Sequence, residues 1–128
     1  MIMIPCGARK IQTRDPVPAC TLYTGPLFTS MLATARAIAR SDKDIWILSA
    51  LHGPIPANHL IKTYDMKMSI SDARRWKENW PSYAPTRGRH LLPTIYAAAV
   101  PNGIKPIVTE KLTFGQWLQF LKYYRENC

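Results

Sequence analysis

The stretch Ile45-Trp-Ile-Leu-Ser-Ala-Leu-His-Gly53 carries four apolar residues directly into Ser49, His52 and Gly53. A short unbroken apolar run reads as a strand buried on both faces, as in a parallel sheet covered by helices. Its polar end raises the functional question. Parallel α/β sheets gather their chemistry beyond the carboxyl ends of their strands. A hydroxyl, an imidazole and a glycine at that end therefore read as the lining of a crevice.

The flanking sequence supports this reading. Met1–Pro5 is a second apolar run, stopping at Cys6-Gly7 with Arg9 and Lys10 close behind. Residues 10–24, with Pro16 and Pro18, read as a loop. Phe28, Met31, Leu32, Ala35 and Ile38 recur at helical spacing, and Pro26 suits the first turn, so residues 26–40 are expected to be a helix. The twenty residues after Ser49, with Pro54, Pro56, Asn58 and a final Tyr64-Asp65, are expected to be irregular. Ser69-x-x-Asp72 and Thr113-x-x-Gln116 are capping boxes that open two further helices, the first running to Trp80. Residues 87–100 read as a helix interrupted by Pro93. Residues 103–109 read as a third strand, which Pro106 confines to an edge or a strand end.

Strands separated by helices imply a single α/β domain over residues 1–128, a small three-layer unit with a short, mainly parallel sheet flanked by helices. Such a sheet brings Cys6-Gly7, Ser49 with His52-Gly53, and Thr109-Glu110 to one edge.

Charge limits the partners. Seventeen Lys and Arg against eight Asp and Glu give a net charge of +9, which favours a polyanion: a nucleotide or a nucleic acid. Arg74, Arg75 and Lys77 form the densest basic group, with Arg87, Arg89 and His90 next. Trp76 and Trp80, four residues apart, are expected to face inward on the same helix. The three cysteines, Cys6, Cys20 and Cys128, are too few and odd in number for a disulfide framework, which suits a reducing cytoplasm. No run approaches the roughly 20 apolar residues of a membrane span, and no secretory leader is evident at Met1. The ATP-binding loop, the dinucleotide fingerprint, C-x-x-C, H-E-x-x-H and G-x-S-x-G are all missing, so neither a cofactor nor a metal is expected.

Four blocks carry a resemblance: Cys6-Gly7-x-x-Lys10; Pro18-Ala19-x-x-Leu22-Tyr23; Trp46-x-Leu48-Ser49-Ala50-x-His52-Gly53; and Ile61-x-x-Tyr64-Asp65. As a set, spanning residues 4–68, they resemble a domain-of-unknown-function family of small bacterial and phage proteins. That family is in turn distantly similar to YaaA-type peroxide-stress proteins and to base-modifying enzymes of the archaeosine pathway. Pro54 departs from the leucine usual after the glycine. The resemblance implies an α/β fold and a site shared by Cys6, Lys10, Tyr23, Ser49, His52 and Asp65. It also implies work on nucleotides or modified bases, in a host cytoplasm if the protein is phage-encoded.

The expected activity is cleavage or exchange at a base–sugar bond. Asp65 or Glu110 would face the developing ribosyl cation and His52 would be the general acid. Lys10 and the Gly7 amide would hold a phosphate, Tyr23 would stack on the base, and Gly53, Tyr64, Arg74 and Arg75 would complete the binding surface. Cys6 as a nucleophile activated by His52 and Lys10 is the competing mechanism. A basic nucleic-acid-binding module without chemistry, such as a phage inhibitor of a host nucleic-acid machine, is the competing class.

Overall fold

The computed structural model describes residues 1–127; Cys128 lies outside the described residues. Two apolar runs form the centre of the sheet. β1 (Ile2–Pro5) is buried throughout and pairs in parallel with β3 (Ile45–Ser49), Ile2 opposite Ile45 and Pro5 opposite Leu48. The amide of Cys6 prolongs the ladder, donating to the Leu48 carbonyl at 3.1 Å.

The connection between them contains β2 (Val17–Pro18), the single turn α1 (Ala19–Leu22), the helix α2 (Pro26–Ile38) and a 3-10 turn (Asp42–Asp44). The inward face of α2 is Phe28, Met31, Leu32 and Ala35, as its periodicity predicts, joined by Thr34. Its buried polar member, Thr34, is satisfied by the Ser30 carbonyl at 2.8 Å.

After β3 the chain turns back as β4 (Gly53–Pro56), antiparallel to β3, where an irregular segment was expected. The reason lies in the prolines. The amide of Ala57 donates to the Ile45 carbonyl, so odd-numbered residues face β3. Pro54 and Pro56 therefore stand where no amide hydrogen is needed, on an edge strand that tolerates them. Ala50-Leu51-His52 is the three-residue hairpin loop, and Gly53 takes φ +71, a left-handed value that glycine adopts without steric cost. β5 (Leu60–Ile61) then pairs with β2 in a separate two-stranded sheet. This clamp holds the segment leading to Tyr64 against the loop before α1.

The capping box at Ser69 opens α3 (Ile70–Glu78). Trp76 and Trp80 pack against the core as expected, and the Trp76 ring fills the space beside Gly53. The expected helix over residues 87–100 is wrong. Gly88–His90 forms β6, parallel to β1, and only Thr94–Ala97 is helical, as α4. Gly88 is the cause: at φ +142 its backbone lies against the Met1 carbonyl, an approach that a side chain would block. The third expected strand shortens to β7 (Ile104–Pro106), parallel to β6 at the sheet edge. The second capping box opens α5 (Phe114–Glu126), which packs on α2.

The five-stranded sheet thus runs β4-β3-β1-β6-β7, parallel except for β4, and is flanked by helices. From β1 the chain crosses to β3 on one side and later to β6 on the other. Strand order therefore reverses beside β1, the place where open α/β sheets bind ligands.

Gly53→Ala is expected to destabilise the protein by about 2–4 kcal/mol, because a side chain at φ +71 is strained and would lie 2.6 Å from the Trp76 ring. Gly115→Ala, in the first turn of α5 with open space around it, is expected to be neutral or to gain up to about 1 kcal/mol. Urea denaturation of the two variants measures both.

Candidate active site

The parallel register of β1 and β3 sets Cys6 beside Ser49 at the carboxyl edge. Ser49 is fully buried. Its Oγ accepts from the His52 amide at 3.1 Å and lies 2.8 Å from the Tyr64 hydroxyl. That hydroxyl in turn lies 2.7 Å from the Tyr23 hydroxyl. On the other side of β1, Cys6 Sγ lies 3.3 Å from the hydroxyl of Tyr96 on α4. Three phenols and a serine hydroxyl thus converge around a thiol.

Backbone pairing places these groups. Lys10 bridges to Tyr23, and the Ile11 and Thr24 amides donate to Leu22 and Arg9, which fixes the loop after β1 against the end of α1. Lys10 Nζ consequently stands 4.4 Å from the centre of the Tyr64 ring and 5.8 Å from that of Tyr23. An ammonium over an aromatic face is attracted by the ring quadrupole. The His52 ring meets Tyr64 edge-on, with centres 5.6 Å apart.

Burial governs the protonation of the cluster. It raises the Tyr23 pKa to about 12, with electrostatic repulsion between a phenolate and Cys6 as the next cause. The same two causes, in the same order, push Tyr64 and Tyr96 up. All three phenols therefore keep their protons near neutrality and act as donors. His52 moves the other way: partial burial, then the charge of His59, hold it below the ordinary imidazole value, so it is neutral at pH 7.

Tyr23 belongs to the cluster only through its hydroxyl, because its buried ring packs on Phe28. The remaining expected site residues lie outside the hydrogen-bonded cluster. Asp65 follows Tyr64 and is exposed. Gly7 is half-buried, and a methyl group there would make only ordinary contact with Phe28, so space does not demand the glycine. Gly53 serves the hairpin. Arg74 and Arg75 are exposed on α3, and Arg75 pairs with Asp72 at 3.1 Å. Glu110 lies in the loop beyond β7 and lines an open cavity of about 940 Å³ next to the cluster. Tyr96 lines that cavity too.

Two residues of this region escaped sequence reasoning. Tyr96 sat within the expected long helix with nothing in its neighbours to single it out. His90 was grouped with Arg87 and Arg89 as a surface cation. It is instead buried, with its Nδ1 accepting from the Leu92 amide at 3.1 Å, and burial lowers its pKa to about 4. Among the described residues no three of His, Cys, Asp and Glu are grouped as metal ligands, and no helix is long and apolar enough to cross a membrane.

Residues 1–123 match a family model described as a family of unknown function (DUF6884), and the chain belongs to that family. The match takes in β6, α4 and Tyr96, well past the four sequence blocks. No curated protein matches the chain.

Two outcomes follow from this chemistry. Tyr64→Phe leaves Ser49 and Tyr23 without their shared partner and should cost about 1–3 kcal/mol in a denaturation experiment. His90 is neutral when folded and takes a proton on unfolding. Its contribution to stability is therefore complete above pH 6.5 and is lost as pH falls from about 6.5 to about 4. The slope in that window approaches about 1.4 kcal/mol per pH unit. His90→Gln should flatten it, as read from urea midpoints at each pH.

Proposed function

We propose that the protein is an enzyme acting on a nucleotide or nucleic-acid base, and that it breaks or exchanges the bond between base and sugar. The observation that carries this reading is the ammonium of Lys10 set over Tyr64, whose hydroxyl joins those of Ser49 and Tyr23 at the carboxyl ends of adjacent parallel strands. Donors that hold their protons, beside a cation, suit an anion rich in oxygen acceptors, and a phosphate is the simplest such group. The net charge of +9 acts in the same direction at longer range.

In the proposed reaction the base–sugar C–N bond breaks and its electron pair leaves with the base. Tyr64 donates a hydrogen bond to the charge developing there. Asp65, exposed on the chain directly after Tyr64, is the carboxylate we assign to the positive charge on the sugar carbon. Water, or an incoming base in an exchange, then bonds to that carbon. The lowered pKa of His52 favours it as the general base that takes the proton of this attacking group and passes it to the departed base, in place of the general-acid role expected from sequence. Cys6 is the competing nucleophile. Its hydrogen-bond partner is Tyr96 and not His52, which favours the water route.

A basic module without chemistry is the second reading, favoured by the exposed guanidinium of Arg74 and by Lys105 and Lys111, also exposed. Held by six or more phosphates, it would lose at least about 10³ in affinity between 50 and 200 mM salt, whereas a small-nucleotide pocket would lose far less. On either reading we assign the protein to a bacterial or phage-infected cytoplasm, where the free thiols of Cys6 and Cys20 stay reduced.

The test is release of free base, followed by chromatography, from a panel of nucleotides and oligonucleotides. His52→Ala should lower the rate by about 10²–10⁴ while stability shifts by about 0.5 kcal/mol or less. In the parent protein kcat/KM should fall on the acid side with a midpoint below 6.5, since the base works only when neutral. A large loss of stability with the rate intact would make His52 a structural corner of the hairpin.

A further inference from the structure

The cavity of about 940 Å³ beside the cluster has no part in the reaction proposed above. It lies at the upper end of the roughly 300–1,000 Å³ of small-molecule pockets. Its walls come from α4, the end of β7 and the loop after it, with Leu92, Val108 and Trp117 among the apolar surfaces. Lys77, Lys105 and Lys111 line it as well, against Glu110 as the one acid. His90 at its wall adds no charge, because burial keeps the imidazole neutral. Lys77 reaches across from α3, its Nζ 3.5 Å from the Val100 carbonyl and from Asn102 Oδ1, which fixes one cation at the cavity. Arg74 stands one turn earlier on the same side of α3 and extends the positive surface.

Tyr96 joins the two regions: it lines the cavity, and its hydroxyl meets Cys6 Sγ. Positive charge therefore stands on both sides of that tyrosine, at Lys10 in the crevice and at the three lysines of the cavity. A nucleoside monophosphate carries one phosphate group, and the crevice already supplies its partner. The second cationic region finds its complement in a substrate that continues past Tyr96. Its apolar walls suit a base, and its lysines suit the phosphate attached to it.

Resting on the crevice reading, we infer that the cavity between α4 and the loop after β7 is a second nucleotide subsite, so that the substrate is a single-stranded polynucleotide and not a free mononucleotide.

The test compares 5′-mononucleotides with mixed-sequence single-stranded tetranucleotides, binding being read from tryptophan fluorescence, since Trp117 lines the cavity. The parent protein should bind the tetranucleotides at least ten times more tightly. In the double variant Lys105→Glu, Lys111→Glu, the ratio of the two Kd values should fall towards one. The slope of log affinity against log salt for the tetranucleotides should fall by about one to two. Both lysines are exposed, and unchanged circular dichroism confirms that the variant is folded. Equal binding of both probes by the parent protein, or a ratio that survives the charge reversal, overturns the second subsite and leaves the crevice reading standing. If the parent protein binds neither probe, both fall.

Discussion

The parallel pairing of β1 with β3 is the constraint on which the site depends. Ile2 opposite Ile45 fixes Pro5 opposite Leu48, and the next residue on each strand is the first polar one, Cys6 on one side and Ser49 on the other. A slip of one residue would turn every side chain of the slipped strand to the other face of the sheet, where its packing partners differ, and would take Cys6 out of line with Ser49. The hydrophobic core and the site are therefore specified together. Burying Met3, Ile4, Ile47 and Leu48 sets the register, and the register sets Cys6 beside Ser49.

Around that pair the molecule spends backbone hydrogen bonds to bring in distant chain. The two-stranded sheet of Val17–Pro18 with Leu60–Ile61 carries Tyr64 to within reach of Tyr23 and Ser49. The Lys10–Tyr23 bridge sets the ammonium above the rings. Strand β6, on the opposite side of β1, leads to Tyr96. Four separate segments thus contribute one side chain each to a set of buried and half-buried hydroxyls. The same burial keeps the phenols protonated, while His52, exposed in the hairpin loop, is held below the ordinary imidazole value by partial desolvation and by the charge of His59. A cluster of donors under a cation has the character of an anion site, and this is why the proposed chemistry begins from a phosphate.

Much of this was legible in the sequence, for identifiable reasons. β1, β3 and α2 have unambiguous periodicity, and both capping boxes are present as atoms as well as letters. The blocks from Cys6 to Tyr64 supplied most of the cluster. What escaped was short or masked by proline. β6 has three residues, too few for any alternation, and its identity rests on Gly88 lying against Met1, a contact between distant parts of the chain. β4 was hidden because Pro54 and Pro56 read as loop residues until their amide-free sides are seen to face away from β3. Tyr96 was lost with the expected helix around it. The glycine of the opening stretch has a structural explanation in the hairpin, whereas Ser49 and His52 both meet Tyr64.

The central claim is that Lys10, Ser49, His52 and Tyr64 form one anion-binding crevice with Cys6. Titration of isotope-labelled protein with a 5′-mononucleotide, followed by amide and side-chain NMR shifts, tests it most directly. The account predicts saturable shifts concentrated at Gly7, Lys10, Ser49, His52 and Tyr64. Shifts confined to the exposed face of α3 around Arg74 and Arg75, with the crevice silent, would contradict it.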